Sequence, residues 1–158
     1  MQAMTKSKPV GGVESVSLYP ADAVISALFS SEGCEIVLSG EPVDVPLLDD
    51  ASYYKECSET KQGAVRIAHQ LHLVADRDSA AKWLDKDFIE RASFDGFVAV
   101  ISLCDGRNLL AGYSALFECE QPMRLESLIS SSGNSLHDTP NVTLRLVAYD
   151  SAFSPQIL

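Results

Sequence analysis

Several features that would point to a reaction are missing from this sequence of 158 residues. No glycine-rich phosphate loop follows a predicted strand, and no Gly-x-Ser-x-Gly elbow is present. No two of the four cysteines have Cys-x-x-Cys spacing, so the sequence contains no zinc motif or redox motif of that kind. The cysteines are Cys34, Cys57, Cys104 and Cys119. We therefore predict reduced, mostly buried thiols, no metal, no cofactor and no enzymatic activity.

Basic residues are scarce and scattered along the chain. Lysine and arginine total 12 against 22 aspartate and glutamate residues, which gives a net charge of −10. Nucleic acids and anionic membrane surfaces have the same sign of charge and would be repelled. We predict neither a nucleic acid nor a membrane as a partner.

Long apolar runs are also missing. None reaches the roughly 18 residues that suggest a membrane-spanning helix, and the opening MQAMTKSKPVGG lacks the apolar core of a signal peptide. We predict a soluble protein that is not secreted by a signal peptide and stays in the cytoplasm unless it leaves as part of something larger. Residues 1–12 are expected to be flexible, and residues 13–158 to form one globular domain.

The most informative stretch that is present runs from Phe97 to Phe117. Two apolar runs flank the break Asp-Gly-Arg-Asn, a pattern typical of a β-hairpin because Gly and Asn accept the positive φ of tight turns. Both alternating sets of the first run are largely apolar, which predicts a central strand covered on both faces.

The remaining pattern predicts further strands and two helices. Alternation predicts strands over the ranges 15–18, 34–39, 64–75, 124–129 and 142–149, with an edge segment over 43–48 that holds Pro46. Apolar residues three and four apart predict helices over 21–31 and 79–91. The fold class is therefore mostly β and largely antiparallel, a β-sandwich or partly open barrel with one or two short helices packed on the sheet, α+β.

Two polar stretches are predicted to be loops, and they hold the candidate interaction residues. The first, residues 49–62, contains Tyr53 and Tyr54, which could anchor a partner. The second, residues 130–141, contains the neighbours His137 and Asp138. Adjacency in sequence does not make a catalytic pair, because geometry decides a triad, so we assign no catalytic residue.

Two further histidines, His69 and His72, are three residues apart on a predicted strand. They should therefore point to opposite faces and cannot bind one metal together. We expect His69 to be hydrogen-bonded and half-buried, and His72 to lie on the surface.

The order of several segments resembles a family of small β proteins from Bacteroides prophages that are associated with phage tails. The similar segments are SLYP, EIVLSG, PVDVPLL, GAVRIAHQLHL, FVAVISLCDGRNLLAGYSA and VTLRLVAYDSAFSP. The helical segment over 79–91 departs from the family pattern. The resemblance implies a tail-associated virion component with a β-sandwich or β-barrel body, and it implies no catalytic residues.

Three hypotheses follow. The first is a non-enzymatic, self-assembling structural subunit of a phage or prophage particle, located in the bacterial cytoplasm or the virion, whose partners are itself and other particle proteins. The second is a monomeric module that binds a protein or a ligand through the two loops. The third, and weakest, is a small hydrolase that uses Ser, His and Asp from those loops.

Overall fold

The computed structural model describes residues 12–48, 51–132 and 140–158. Ten strands and two short α-helices form the elements of this part of the chain. The strands are β1 Val13–Pro20, β2 Val24–Ser30, β3 Gly33–Leu38, β4 Val43–Val45, β5 Tyr53–Lys61, β6 Ala64–Asp76, β7 Phe97–Leu103, β8 Asn108–Ala111, β9 Arg124–Ser131 and β10 Asn141–Asp150. The helices are α1 Arg77–Ala80 and α2 Lys86–Glu90, and a π-helical turn follows over Arg91–Asp95. The predicted mostly β, largely antiparallel class is confirmed.

The first sheet has the strand order β4-β1-β7-β8 and contains the predicted hairpin. β7 and β8 are its two arms, joined around Asp105 to Arg107, and β1 flanks β7 on the other side. Phe97, Ala99 and Ile101 face one apolar cluster, whereas Val98 belongs to a second cluster on the opposite face. The prediction of a central strand covered on both faces is therefore confirmed.

The second sheet has the strand order β5-β6-β10-β9. Buried residues alternate with partly exposed ones over residues 69–76 of β6 and 141–148 of β10, where the two strands pair antiparallel. Leu71, Leu73 and Leu144 from this sheet are fully buried and share a cluster with Val16 and Leu18 of β1. The two sheets therefore form a sandwich around one core.

The predicted helix over 21–31 is wrong, because this stretch forms β2 and its turn into β3. The register shifts between Val24 and Ser26, which marks a bulge that adds one residue to β2. The residues whose spacing predicted the helix therefore belong to a strand: Val24 and Phe29 are partly buried, whereas Ile25 and Leu28 are exposed. Gly33 follows the turn of the hairpin and is not a helix C-cap.

The predicted single helix over 79–91 is divided into shorter pieces. α1 begins earlier, at Arg77, and ends at Ala80, while Ser79 lies inside it and donates a hydrogen bond to Asp76. α2 begins after Asp85, whose side chain accepts a hydrogen bond from the Phe88 amide at 2.8 Å. Asp85 is thus the N-cap residue of α2. None of the helices in the described ranges is long and apolar enough to cross a membrane.

The segment after β10 connects two sheets. The amide of Leu110 donates to the Pro155 carbonyl, and that of Ile157 to the Asn108 carbonyl, so the segment extends the first sheet beside β8. The amide of Cys34 donates to the Gln156 carbonyl on the other side. A Cβ at Gly33 would collide with that carbonyl oxygen, so the close approach requires glycine there. We call residues 151–158 the C-terminal segment.

Candidate functional site

The tyrosines predicted to lie in an interaction loop are instead on a strand. Tyr53 and Tyr54 begin β5, so the prediction of a loop is wrong for residues 53–61. Their side chains point to opposite faces because they are neighbours in a strand. Tyr53 remains 41% exposed and stacks on His72 of β6 at a centroid distance of 4.6 Å. His137 and Asp138 lie outside the described residues.

Tyr54 faces a polar cluster between the second sheet and the C-terminal segment. Its hydroxyl lies 2.6 Å from the Ser154 hydroxyl, which lies 2.8 Å from Nδ1 of His69. The other ring nitrogen of His69, Nε2, is 2.8 Å from the Ala152 carbonyl oxygen. The Ser154 amide also donates to Glu56 at 3.2 Å. We call these residues the clasp, and its members come from β5, β6 and the C-terminal segment.

The partners fix the direction of hydrogen bonding in the clasp when His69 is neutral. A carbonyl oxygen only accepts, so Nε2 of His69 carries the proton and donates to Ala152. Nδ1 is then an acceptor and receives the hydroxyl proton of Ser154. Ser154 in turn accepts from Tyr54. The three side chains therefore form one directed chain that ends on the backbone of the C-terminal segment.

The clasp resembles the serine–histidine pair of a hydrolase only in part. In a catalytic triad a carboxylate holds the imidazole and stabilises its charged form, whereas His69 has the neutral carbonyl of Ala152 in that position. The Ser154 oxygen also accepts from Tyr54, which occupies one of its lone pairs. The arrangement is suited to holding the C-terminal segment against the second sheet.

Burial has different consequences for the titratable groups near the clasp. It is the main cause that raises the pKa of Tyr54 far above its usual value, and the charges of Glu56 and Asp150 act in the same direction. The pKa of His72 is lowered, first by burial and then by the positive charges of Arg145 and Lys55. Both groups are thus held in their neutral forms.

His69 and His72 lie on opposite faces of β6, as the strand pattern predicts. His69 is 3% exposed, more deeply buried than the half-buried position we expected. Within the three described ranges, no group of three or more potential metal ligands lies together.

The four cysteines are free thiols, but the expectation that most are buried is wrong. Only Cys34 is fully buried, and burial raises its pKa. Cys104 and Cys119 are exposed and Cys57 is intermediate. Hydrophobicity alone could not predict this, because Cys104 directly follows β7 and Cys119 lies in a turn between β8 and β9.

An apolar surface covers the outer side of the β2–β3 hairpin. Ile25 and Leu28 are each 66% exposed, and Val37 on β3 is 51% exposed. The opposite side of the hairpin packs against the first sheet through Phe29, Ile36 and their neighbours. We call Ile25, Leu28 and Val37 the hairpin face. The sequence did not reveal this face, because a helix was predicted there.

A groove of about 640 Å³ lies where the π-helical turn meets β1 and β9. Both charge signs line it, since Arg91 and Arg124 are joined by Asp22 and Asp95, and Phe94 stands at 76% exposure. The Nε of Arg124 donates to the Phe94 carbonyl at 3.2 Å, which fixes this side of the groove. Two positive and two negative side chains therefore face the groove.

Comparison with known proteins returns no relative. No protein-family model matches the chain, and neither a curated protein nor a solved structure is significantly similar to it.

Proposed function

We propose that this protein is a non-enzymatic structural subunit that self-assembles, as a tail-associated component of a phage or prophage particle would. The hairpin face is the observation that supports it most. Three large, exposed apolar side chains on two adjacent strands are unusual for a monomeric protein, because contiguous exposed apolar area marks interaction sites. The resemblance to prophage tail proteins agrees with this role, and the other partners would be further particle proteins.

The internal use of the clasp also favours a structural role over catalysis. Ser154, His69 and Tyr54 satisfy one another and the backbone, so their hydrogen bonds stabilise the C-terminal segment. A hydrolase is the weakest candidate for this reason. Covalent labelling of Ser154 by a fluorophosphonate probe would contradict this assessment.

Light scattering across a wide protein concentration range tests self-assembly directly. We expect the molar mass to rise above the monomer mass of 17.1 kDa, with rings or tubes visible by electron microscopy at high concentration. A monomer that persists at every concentration would contradict the proposal.

A monomeric binding module is the second candidate, and the groove favours it. Its volume of about 640 Å³ is within the range of about 300–1,000 Å³ that is typical of ligand sites. A thermal-shift screen of small molecules against the wild type and Arg124→Ala would test it. Stabilisation of the wild type that the variant loses would support a ligand site in the groove.

A further inference from the structure

The outer edge of β2 is open in the part of the chain that the structure describes. β2 is an end strand of the two-stranded β2–β3 sheet, so only one of its edges is hydrogen-bonded. In an antiparallel ladder, alternate residues direct their N–H and C=O groups away from the partner strand. Unpaired backbone groups in a row form a template to which another strand can be added.

The other strands at sheet ends have features that oppose such pairing. β5 contains four charged residues and β9 contains two, while β4 is only three residues long. The C-terminal segment covers β8 through the Leu110 and Ile157 amides. Charge, short length and coverage are the usual means of blocking a sheet edge. β2, with the sequence VISALFS, has no charged residue, no proline and no glycine.

We propose that β2 pairs with β2 of a second copy of this chain, antiparallel about a two-fold axis, to form a continuous sheet β3-β2-β2′-β3′. This inference rests on the proposed self-assembly and identifies the surface that would perform it. A two-fold axis brings the same patch of both copies together, so the patch must be able to contact an identical patch without repulsion. An uncharged strand meets this condition in every register, whereas a strand that carries charges meets it only in registers that place opposite charges across the axis.

β2 itself brings no charge into a contact between two copies of the chain. Two copies of net charge −10 repel each other, so contact is least costly where acidic residues are distant. Glu35 lies on β3, and three strand spacings would separate it from its symmetry mate by about 14 Å. That distance exceeds the screening length of about 8 Å at physiological salt. Asp22 and Glu32 flank β2 at its two ends, so the dimer should tighten as salt increases.

The hairpin face strengthens the same contact. Ile25 and Leu28 belong to the pairing strand and Val37 to the strand beside it. Pairing would place the two hairpin faces side by side on one four-stranded sheet. The most exposed apolar residues of the hairpin would then contact one another across the new strand boundary.

The test is a double variant, Ile25→Lys with Leu28→Lys, compared with Ile129→Lys. Ile129 is 59% exposed and lies on β9, another edge strand, so it controls for the loss of an exposed apolar residue on a sheet edge. Circular dichroism would verify that both variants fold, which their exposed positions favour. We expect the double variant to raise the dissociation constant of the dimer by about 100-fold or more. Ile129→Lys should leave it within about threefold of the wild type.

The outcomes separate the two proposals. A wild-type monomer at all concentrations would overturn both the self-assembly and this inference. A wild-type oligomer that the double variant leaves intact would overturn the β2 contact alone. An equal loss of dimer affinity in the double variant and in Ile129→Lys would also overturn the β2 contact. The effect would then come from the added positive charge, wherever it lies on the surface.

Hydrogen exchange on the unmodified protein gives a second measurement. We expect amide protection to rise with concentration in β2 while β9 amides stay unchanged. An oligomer whose β2 amides exchange as fast as those of the monomer would overturn the inference without any substitution.

Discussion

Replacing Ser154 with alanine should destabilise the protein more than its partly buried position suggests. The Ser154 hydroxyl joins two side chains, at 2.6 Å from Tyr54 and 2.8 Å from His69. Alanine removes one hydrogen bond from each of these two side chains, and a buried group that loses its partner costs about 1–3 kcal/mol. We expect the free energy of unfolding to fall by about 2–4 kcal/mol. Urea denaturation followed by the fluorescence of Trp83 would measure it as a midpoint shift of about 1–2 M, given a slope of about 2 kcal/mol/M.

Two further variants separate the clasp from general effects on the C-terminal segment. Ser151→Ala, at an exposed serine of the same segment, should change stability by less than about 0.5 kcal/mol. Tyr54→Phe removes only the donor and should cost about 0.5–1.5 kcal/mol. In the variant that carries both Ser154→Ala and Tyr54→Phe, the loss of stability should be smaller than the sum of the two single losses by about 1 kcal/mol or more. Both substitutions remove the same hydrogen bond, so its energy is lost only once. Strict additivity, or a Ser154→Ala protein as stable as the wild type, would refute the clasp.

Three other predictions concern the core, a turn and the dependence on pH. Phe88→Ala should cost about 3–5 kcal/mol of unfolding free energy in urea because the ring is fully buried, while Phe94→Ala, at 76% exposure, should cost less than about 0.5 kcal/mol. Gly112→Ala should lower the melting temperature more than Gly106→Ala. Both glycines have positive φ, but only at Gly112 does a Cβ lie 2.6 Å from a backbone oxygen, and equal losses would contradict the steric argument. Finally, burial lowers the pKa of His72 in the folded protein. As the pH falls, the imidazole is therefore protonated in the unfolded chain before it is protonated in the folded one. Stability should consequently fall as the pH drops below about 6.5. His72→Gln should reduce that slope in urea titrations at pH 5 to 8, and an unchanged slope would assign the pH dependence to other groups.

The sequence predicted the strands that have one apolar face or two. β10 and most of β6 alternate between buried and partly exposed residues, whereas both faces of β7 are apolar, and their paired or central positions follow from these patterns. β5 was missed because it is an edge strand whose faces are both polar, so its hydrogen bonds to β6 determine its conformation. Apolar periodicity contains no information about a strand of this kind.

β2 shows a different reason for failure. Its bulge near Ile25 inserts a residue that interrupts the two-residue alternation of apolar and polar positions. The spacing of the apolar residues then resembles that of a helix. The exposed hairpin face was therefore hidden in a pattern that predicted a covered helix. The clasp could not be predicted either, because Tyr54 and Ser154 are 100 residues apart in the chain.

The position of the C-terminal segment also has a kinetic consequence. Its contacts with Tyr54 and His69 close loops of 100 and 85 residues. The chain loses much conformational entropy when loops of this length close. They should therefore form after the rate-limiting step of folding. Weakening them would accelerate unfolding and leave the refolding rate nearly unchanged. The lifetime of the native state, rather than the speed of reaching it, would then depend on a few hydrogen bonds near residue 154.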